Sequence, residues 1–311
     1  MDIVPTAEQV SLPLVSEFVP ESTADGSFTF FSAEFGEFFH NRHGACLEAR
    51  SIYVDAIRLP EMAQRSTVRL LDVCYGLGYN TAAALETIWA VNPNCQVEWI
   101  GLELNPTIPN AAIAHNVLTC WPAAIQAILV ELASSHQING DRLQARLLIG
   151  DARQTLQQVH HSGFQADAIF LDPFSPPHCP PLWTIEFLGL LARCLHPDGK
   201  LATYSCAAAV RTALHAAGLH IGSLPGVGRQ SPGTIASFNP AVLPSLSRKE
   251  QEHLRTRAAI PYRDPSLTDF AETILQRRQA EQQGCGLEPT SHWRKRWAAT
   301  PPHQASPESC L

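Results

Sequence analysis

Between Thr67 and Phe238 the sequence alternates short apolar runs with helix-like stretches, and this alternation constrains the fold more than any other feature. Seven of the apolar runs predict buried strands. Strands that alternate with helices form parallel βαβ units, so we predict an α/β fold with a seven-stranded, mostly parallel sheet and helices on both faces. The predicted strands are residues 68–73, 96–103, 146–149, 166–171, 200–205, 220–224 and 234–238.

Three further segments surround the predicted core, which spans residues 67–240. Residues 1–27 are polar and acidic, which predicts a flexible arm. Residues 28–66 are an expected N-terminal extension of the core, with an aromatic start and a helix near 45–63. Residues 241–311 are an expected tail that is helical at first and then flexible, because proline and serine are frequent near its end.

Composition and charge exclude several classes of protein. No apolar run reaches the ~18 residues of a membrane-spanning helix, and the first residues do not form a signal peptide, so we expect a cytoplasmic protein without membrane contact. The formal net charge of -7 argues against a general polyanion binder. The nine cysteines include no Cys-x-x-Cys pair, so we expect reduced thiols and no metal site.

The turn after the first predicted strand reads DVCYGLGYN over residues 72–80 and is the first candidate site. Glycine is needed there because the backbone must approach a cofactor closely, with the start of a helix behind it. A dinucleotide fingerprint would have a third glycine where this chain has Thr81, so the turn suits an adenosyl group better than a pyrophosphate. The candidate cofactor-binding residues of this turn are Asp72, Gly76, Gly78 and Asn80.

The next two predicted strands also end in carboxylates. Glu103 lies 25 residues after Gly78, where an acidic side chain can accept hydrogen bonds from both ribose hydroxyls. Asp151 precedes a predicted helix that begins at Ala152. Asp151 and Ala152 are candidates for contact with the adenine, and the alternative for Asp151 is an N-cap of that helix.

The fourth candidate follows the strand at 166–171 and reads DPFSPP over residues 172–177. A proline after the strand-end carboxylate directs the backbone out of the sheet and exposes both the carboxylate and nearby carbonyls. Asp172 could then accept hydrogen bonds from an amine and aim its lone pair at an electrophile. The alternative is a rigid loop, but four such sites on successive strand ends favour one shared ligand crevice.

Residues 28–238 resemble the class I S-adenosylmethionine-dependent methyltransferases, which have a Rossmann-like fold, and within them the methyltransferase domain of the MnmC family. Beyond the sites above, the segments that carry the resemblance are Phe31-Ser32, Phe35-Gly36-Glu37, His40, Gly44-Ala45, Glu48, Pro180, Trp183, the LATYS run at 201–205, Ala209-Val210-Arg211 and the PGVGR run at 225–229. The run of segments in order is far more specific than any one of them.

The resemblance implies S-adenosyl-L-methionine as the cofactor and the tRNA anticodon loop as the partner. The implied reaction is N-methylation of the aminomethyl group of 5-aminomethyl-(2-thio)uridine at the wobble position, with Asp172, Pro173 and Phe174 as the catalytic residues. The chain departs from the family pattern at Pro173, at Cys74 and in the loop around His178. Only 73 residues follow Phe238, so we expect a stand-alone enzyme without the FAD-dependent oxidase domain.

The residues expected at the substrate are less sharply defined. Glu37 and His40 would close over the pocket, or else serve in the core or a loop. For tRNA we expect Arg42 and the WRKRW stretch at 293–297, which mixes basic and aromatic side chains as single-strand binders do. The candidate substrate-binding residues are Phe31, Glu37, His40, Trp183, Arg211 and Arg229.

Two other functions remain open at this point. The low positive charge also suits a methyltransferase that acts on a small-molecule or protein amine. A non-catalytic module that binds an adenosyl group is the second alternative.

Overall fold

A central sheet organises the protein, whose computed structural model describes residues 15–226 and 231–299. Within these residues the sheet has eight strands, and all seven predicted strands belong to it. The additional strand has only three residues and one buried side chain, Ile138, which is too short a pattern to read from the sequence. The strands are β1 (Thr67–Val73), β2 (Gln96–Glu103), β3 (Gln137–Asn139), β4 (Leu143–Ile149), β5 (Ala166–Leu171), β6 (Leu195–Thr203), β7 (His220–Leu224) and β8 (Gly233–Ser237).

The order of the strands across the sheet is β7-β8-β6-β5-β1-β2-β4-β3. The five strands from β6 to β4 are parallel, whereas β8 runs antiparallel to both of its neighbours and β3 runs antiparallel to β4. The chain leaves β1 toward β2 and later returns to the other side of β1 as β5. Ligands of open α/β sheets bind at such a reversal, outside the carboxyl ends of the strands.

Helices cover both faces of the sheet, as the alternating pattern predicts. Alternate side chains of β5 enter different cores: Ile169 packs with α4, α5 and α6, and Phe170 packs in the core that contains α1, α2 and α3. No helix in the described part of the chain is long and apolar enough to cross a membrane. The helices are α1 (Tyr79–Val91), α2 (Thr107–Ala114), α3 (Ala123–Ser135), α4 (Ala152–His161), α5 (Ile185–Arg193), α6 (Ala208–Ala216), α7 (Arg248–His253), α8 (Ala271–Gly284) and α9 (Thr290–Ala298).

The N-terminal segment differs from the flexible arm expected for residues 1–27, of which the first fourteen lie outside the described residues. Phe18 is buried and its ring lies 5.4 Å from that of Phe30. Asp25 accepts a 2.8 Å hydrogen bond from the backbone N–H of Leu47, and the Ser27 hydroxyl accepts one of 2.9 Å from the N–H of Ala45. These two side chains cap the helical segment that follows, and so fix the extension to the core.

The helical segment of the extension comprises Ala45–Glu48, Ala49–Asp55 and Leu59–Met62. Its middle part is a π-helix, with hydrogen bonds that span five residues rather than four. The segment packs on α1 and on β6 with Ile52, Tyr53 and Ile57 fully buried. The extension is therefore a part of the core fold and not an appendage.

The C-terminal tail is more ordered than expected as far as residue 299. The Trp293 ring stacks on His253 of α7 at 4.3 Å and 13°, and Trp297 donates its indole N–H to Glu252 over 2.9 Å. Arg296 pairs with both Glu252 and Glu288. The aromatic rings of the WRKRW stretch thus attach α9 to α7, which leaves them unsuited to the expected stacking on single-stranded RNA.

Arg211 was expected at the substrate, but its position corrects that expectation. It lies on α6 and is 2% exposed. Its guanidinium donates to the Thr234 hydroxyl at 2.9 Å, to the Gly233 carbonyl at 3.0 Å and to the Glu250 carboxylate at 2.7 Å. The side chain therefore joins α6, β8 and α7 inside the protein.

Removal of Arg211 should destabilise the protein. In an Arg211→Met variant the Glu250 carboxylate, 15% exposed, would lose its charged partner, and we expect the free energy of unfolding to fall by about 3–5 kcal/mol. Urea unfolding measures this value. Arg248→Met is the matched control, because its ion pair with Glu252 is exposed and worth under about 1 kcal/mol. Equal losses in the two variants would contradict the buried role.

The contribution of the Arg211–Glu250 pair to the free energy of unfolding should also depend on pH. Burial raises the pKa of Glu250, but hydrogen bonds from Ser223, Ser247 and Arg211 outweigh it and lower that pKa from 4.5 to about 2. A carboxylate with a lowered pKa contributes stability above its unfolded pKa and loses that contribution as the pH falls toward the folded value. The difference in unfolding free energy between the wild type and Arg211→Met should therefore shrink between pH 4.5 and pH 2.

Candidate active site

A cavity of about 1020 Å³ opens at the carboxyl ends of β1, β2 and β5, where the strand order reverses. The extension forms its opposite wall with residues 31–42. Eight of the residues given from the sequence as cofactor-binding, catalytic or substrate-binding candidates line the cavity: Phe31, Glu37, His40, Gly76, Glu103, Asp172, Pro173 and Phe174. The described residues contain no cluster of three or more His, Cys, Asp or Glu side chains that could hold a metal ion.

The glycine turn follows β1 and brings backbone to the cavity. Gly78 has a φ of 89° and begins α1, and a Cβ there would lie 2.6 Å from the Tyr75 hydroxyl oxygen. Gly76 has a φ of 57° and lines the cavity. Cys74, which stands where the family pattern has its first glycine, also adopts a left-handed φ of 68°. The backbone thus keeps a shape that glycine favours although the residue has changed.

Glu103 ends β2 and connects the two strand ends at the cavity. Its carboxylate accepts hydrogen bonds of 2.9 Å from the backbone N–H groups of Gly76 and Asn105. Burial raises its pKa, and these backbone donors act in the opposite direction. Two carboxylate oxygens offer about four acceptor positions, so acceptor capacity is left for a diol such as a ribose. This position, beside a tight glycine turn, fits the adenosyl half of S-adenosyl-L-methionine.

Two predicted cofactor residues act behind the turn rather than on the cavity. Asp72 is fully buried in β1 and accepts a 2.6 Å hydrogen bond from the Thr81 hydroxyl. Burial raises the pKa of Asp72 to about 7. Asn80, the second residue of α1, donates its side-chain N–H to Asp172 over 2.9 Å. Thr81, at the position where a dinucleotide-binding fold has glycine, thus holds Asp72 in place. Asn80 positions the Asp172 carboxylate, which lies on the other side of the strand reversal.

The positions of Asp151, Ala152 and Trp183 differ from the expected ligand contacts, and none of these residues lines the cavity. Asp151 caps α4 through the N–H of Arg153 and forms a 2.7 Å ion pair with the same arginine. Arg153 also bonds Asp264 in the C-terminal tail. The capping alternative therefore holds for Asp151. Trp183 is fully buried and donates its indole N–H to the Phe174 carbonyl at 2.8 Å, which braces the loop after β5.

Asp172 follows β5 and faces the cavity beside the glycine turn. Its backbone N–H donates to the Val73 carbonyl at 3.1 Å, so the loop begins in contact with β1. Burial and the nearby charge of Glu48 raise the pKa of Asp172 well above its usual value, although Tyr53 and Asn80 act in the opposite direction. A carboxylate with a raised pKa holds a proton more firmly and is a stronger base once ionised.

The loop after Asp172 is fixed by Tyr204 and by the extension. Tyr204 donates its hydroxyl to the Pro173 carbonyl at 2.8 Å. Glu37 of the extension accepts hydrogen bonds from the Ser175 N–H at 2.9 Å and the Ser175 hydroxyl at 2.5 Å. Glu37 therefore joins the extension to the loop after Asp172 within the cavity wall.

Aromatic rings form the cavity wall beside this loop. Phe35 stacks on Phe174 with ring centroids 4.4 Å apart and planes at 17°, and Phe39 meets Phe174 edge-on at 5.0 Å. Phe31 is 47% exposed on the same wall. The Arg42 guanidinium lies 4.8 Å from the centroid of the Phe38 ring. The wall therefore offers flat apolar surface with a cation at its edge.

His40 is a buried histidine with an unused ring atom. Its ring packs edge-on against Tyr79 at 5.0 Å, and its Nδ1 has no hydrogen-bond partner among the described residues. Burial lowers its pKa to about 4, so the ring is neutral near pH 7. A neutral imidazole on the cavity wall can exchange a hydrogen bond with a bound molecule. Arg229, the remaining predicted residue, lies outside the described residues.

Four residues of the site were not recognised as site residues from the sequence. Asn41, Glu48 and Tyr204 line the cavity, and Tyr53 lies directly behind Asp172. Tyr204 directly follows β6 as Asp172 follows β5, so the strand-end signal could have identified it. Asn41, Glu48 and Tyr53 lie in the extension, away from the strand ends of the sheet and from the glycine turn.

Comparison with known proteins agrees with this architecture. The crystal structure of MnmC2 from Aquifex aeolicus superposes with a TM-score of 0.76, is 33% identical in sequence, and covers 86% of both chains. The chain belongs to the MnmC-like family of S-adenosyl-L-methionine-dependent methyltransferases. A family model described as S-adenosyl-L-methionine-dependent methyltransferase also matches residues 111–239. The family, the α/β methyltransferase fold and the cofactor predicted from the sequence are thereby confirmed.

Curated relatives extend the MnmC-like comparison. An uncharacterized protein of Methanocaldococcus jannaschii is 27% identical over 88% of this chain and 74% of its own length. The tRNA 5-methylaminomethyl-2-thiouridine biosynthesis bifunctional protein MnmC of Aromatoleum aromaticum is 34% identical over 66% of this chain. The match covers 33% of that bifunctional protein, so this chain corresponds to about a third of it.

Removal of the Glu103 carboxylate should weaken cofactor binding. In Glu103→Ala the turn loses an acceptor that holds the Gly76 N–H, and a ribose would lose its acceptor too, so we expect the Kd for S-adenosyl-L-homocysteine to rise about tenfold to a hundredfold. Isothermal titration calorimetry measures this change. Glu98→Ala on the same strand is the control, because its carboxylate is exposed and pairs with Arg69. An unchanged Kd in Glu103→Ala would contradict the assignment.

Proposed function

We propose that this enzyme methylates the primary amine of 5-aminomethyl-(2-thio)uridine at the wobble position of tRNA. The observation that carries the proposal is the Asp172 carboxylate, which faces a large aromatic-walled cavity beside the cofactor turn. An amine needs an acceptor for its N–H groups, and a nucleobase needs flat apolar surface, so this cavity has a feature for each part of the acceptor. The names of the bifunctional relatives support the same substrate class.

The cofactor would be held by the Gly76 turn and by Glu103. When bound, S-adenosyl-L-methionine supplies an electrophilic methyl group. The neighbouring carboxylates suit its positive charge, because a cation in a desolvated site is stabilised by nearby negative groups. Asn80 keeps Asp172 at the junction between the cofactor turn and the rest of the cavity.

Asp172 would handle the proton of the acceptor. A free alkylamine has a pKa near ~10.4 and arrives as an ammonium ion, which has no lone pair for methyl transfer. The ionised Asp172 carboxylate can accept a hydrogen bond from the ammonium and then its proton, and the neutral amine then carries the required lone pair. Because burial raises the pKa of Asp172, this transfer costs less than it would to an ordinary aspartate.

The aromatic wall would receive the base. A wobble uridine must leave the stack of the anticodon loop to reach an enclosed site, and aromatic side chains stabilise such extruded bases by stacking. Phe31 is accessible for this contact, whereas Phe35 is already stacked on Phe174. Arg42 is suited to a phosphate, because its side chain is 71% exposed and its 3.4 Å ion pair with Glu21 is weak.

The decisive experiment replaces Asp172. We expect Asp172→Ala to reduce turnover at least about a hundredfold, the lower end of a general-base contribution, while binding of S-adenosyl-L-homocysteine is largely kept. The substrate is tRNA from a strain that lacks the terminal methylation, and nuclease digestion with LC–MS quantifies 5-methylaminomethyl-2-thiouridine. Asp198→Asn, in the exposed turn of β6, is the control.

The outcomes of this assay separate the alternatives. Full turnover in Asp172→Ala would refute the role of Asp172. A wild-type protein that methylates free amines but no tRNA would favour a small-molecule or protein acceptor, which the net charge of -7 also suits. A protein that binds the cofactor and methylates no acceptor would favour a non-catalytic module.

Arg42 gives a test of tRNA contact alone. In Arg42→Gln we expect KM for tRNA to rise several-fold and to depend less on salt, with kcat and cofactor affinity unchanged, because a phosphate contact adds affinity but no chemistry. Steady-state kinetics at two salt concentrations measure both effects. Arg58→Gln is the matched control, because Arg58 is also exposed, lies in the extension and does not line the cavity. The same change in both variants would contradict a specific contact.

A further inference from the structure

Glu48 is a buried carboxylate on the cavity that the proposed reaction has not yet used. It ends the first turn of the helical segment in the extension and is 6% exposed. The backbone N–H of Asn41 donates to its Oε2 at 3.3 Å, and the Asn41 side-chain amide donates to the same oxygen at 3.1 Å. A carboxylate is costly to bury, so one that is held in place on a cavity wall indicates a role toward what the cavity contains.

Glu48 and Asp172 belong to the same part of the cavity although they come from opposite sides of it. Both line it, Glu48 from the extension and Asp172 from the end of β5. Tyr53, five residues after Glu48, lies close to both carboxylates. Its hydroxyl is completely buried and lies beside the Asp172 carboxylate. Two carboxylates and one buried hydroxyl thus lie close together at this part of the cavity.

We propose that Glu48 is the second carboxylate of the acceptor site: held by Asn41, it faces Asp172 across the cavity and selects an acceptor that enters as an ammonium ion. This inference rests on the proposed function, because it assumes that the acceptor is an amine. Two like charges in a desolvated site repel each other, and one positive charge between them removes that repulsion. A neutral hydroxyl of the same size cannot do so.

In the free enzyme, a proton instead of an ammonium ion reduces the repulsion between the Glu48 and Asp172 carboxylates. Burial and the charge of Glu48 raise the pKa of Asp172, so the pair holds a proton more firmly when no cation is present. An entering ammonium ion replaces that proton, which leaves to solvent, and the Asp172 carboxylate then takes one proton from the ammonium to give the neutral amine. Charge and protons balance at each step, with one positive charge or one proton always shared by the pair.

Several other groups face Asp172 and are part of this balance. They are Tyr53 from the extension, Asp72 and Cys74 from β1 and its turn, and Asn80 from α1, while Tyr204 from the loop after β6 bonds the carbonyl of the next residue, Pro173. Asp72 acts in the same direction as Glu48, whereas Tyr53 and Asn80 act in the opposite direction. Glu48 has the largest effect of the charged groups on Asp172, so its removal is the sharpest test.

The test is Glu48→Gln, which keeps the shape and removes the charge. We expect the acid limb of the profile of kcat/KM against pH to move about one unit toward lower pH, because Asp172 then ionises more readily. We also expect the preference for tRNA with an aminomethyl group over tRNA with a hydroxymethyl group, measured as a ratio of Kd values, to fall about tenfold. Glu48→Asp should keep the acid limb near its wild-type position.

Controls separate charge from structure and this inference from the proposed function. Glu61→Gln is matched, because Glu61 is an exposed carboxylate in the same extension and pairs with Arg58. The pKa of Asp172 can also be measured without tRNA by carbon-13 NMR of labelled aspartate, with Asp172→Asn to assign the signal. An equal Asp172 pKa in wild type and Glu48→Gln overturns the inference. A lowered pKa together with no methylation of tRNA by the wild type supports the carboxylate pair and overturns the proposed function.

Discussion

The hydrogen bond from Asn80 to Asp172 joins the two halves of the candidate active site. Asn80 belongs to α1, which follows β1 and the glycine turn, whereas Asp172 follows β5 on the other side of the strand reversal. The glycine turn and the Asp172 carboxylate, to which we assign the cofactor and the acceptor, are therefore placed relative to each other by one short contact between side chains. The Asp172 N–H bonded to the Val73 carbonyl supports the same junction from the backbone. In-line transfer between two bound molecules depends on such fixed placement.

The N-terminal extension forms the wall of the cavity that the sheet does not supply. An α/β sheet supplies the strand ends, but here the opposite wall of the cavity comes from residues 31–42 and the helical segment behind them. Asp25 and Ser27 anchor that segment through its backbone, and Glu37 bonds the loop after Asp172. A cavity walled on both sides is less exposed to water than an open sheet edge, and lower exposure strengthens the charge interactions inside it.

The sequence predicts the sheet well because apolar runs and strand-end residues are local signals. Asp172, Glu103 and the glycine turn were identified in this way and line one cavity. Asp151 has the same signal but a different role, because Arg153, two residues later, draws its carboxylate toward the C-terminal tail. The capping role was one of the two alternatives that the local sequence offered, whereas the contact of Arg153 with Asp264 is distant in the sequence and no local pattern reveals it.

Arg211 and Glu48 also show what a local sequence pattern cannot predict: Arg211 was expected at the substrate and is not there, whereas Glu48 lines the cavity and was not among the candidate site residues. Arg211 has the charge expected of a tRNA contact, but its partner Glu250 lies 39 residues further along and buries it. Glu48 lies in an ordinary helical pattern, and only the fold of the extension places it opposite Asp172. Long-range pairing decides which charged side chains face a ligand, and it enters only with the three-dimensional structure.

The π-helix at Ala49–Asp55 determines which side chains of the extension lie on the same side of this segment. Hydrogen bonds that span five residues place side chains five apart on the same side, so Glu48 and Tyr53 both approach Asp172. In an α-helix with about 3.6 residues per turn, the same two side chains would diverge by about 140°. Deletion of one residue between them would restore ordinary winding and leave the two groups four residues apart, about 40° from each other, so the wider winding is what accommodates a spacing of five. The spacing of these two polar side chains and the winding of the backbone between them are therefore matched, and a change in one requires a change in the other.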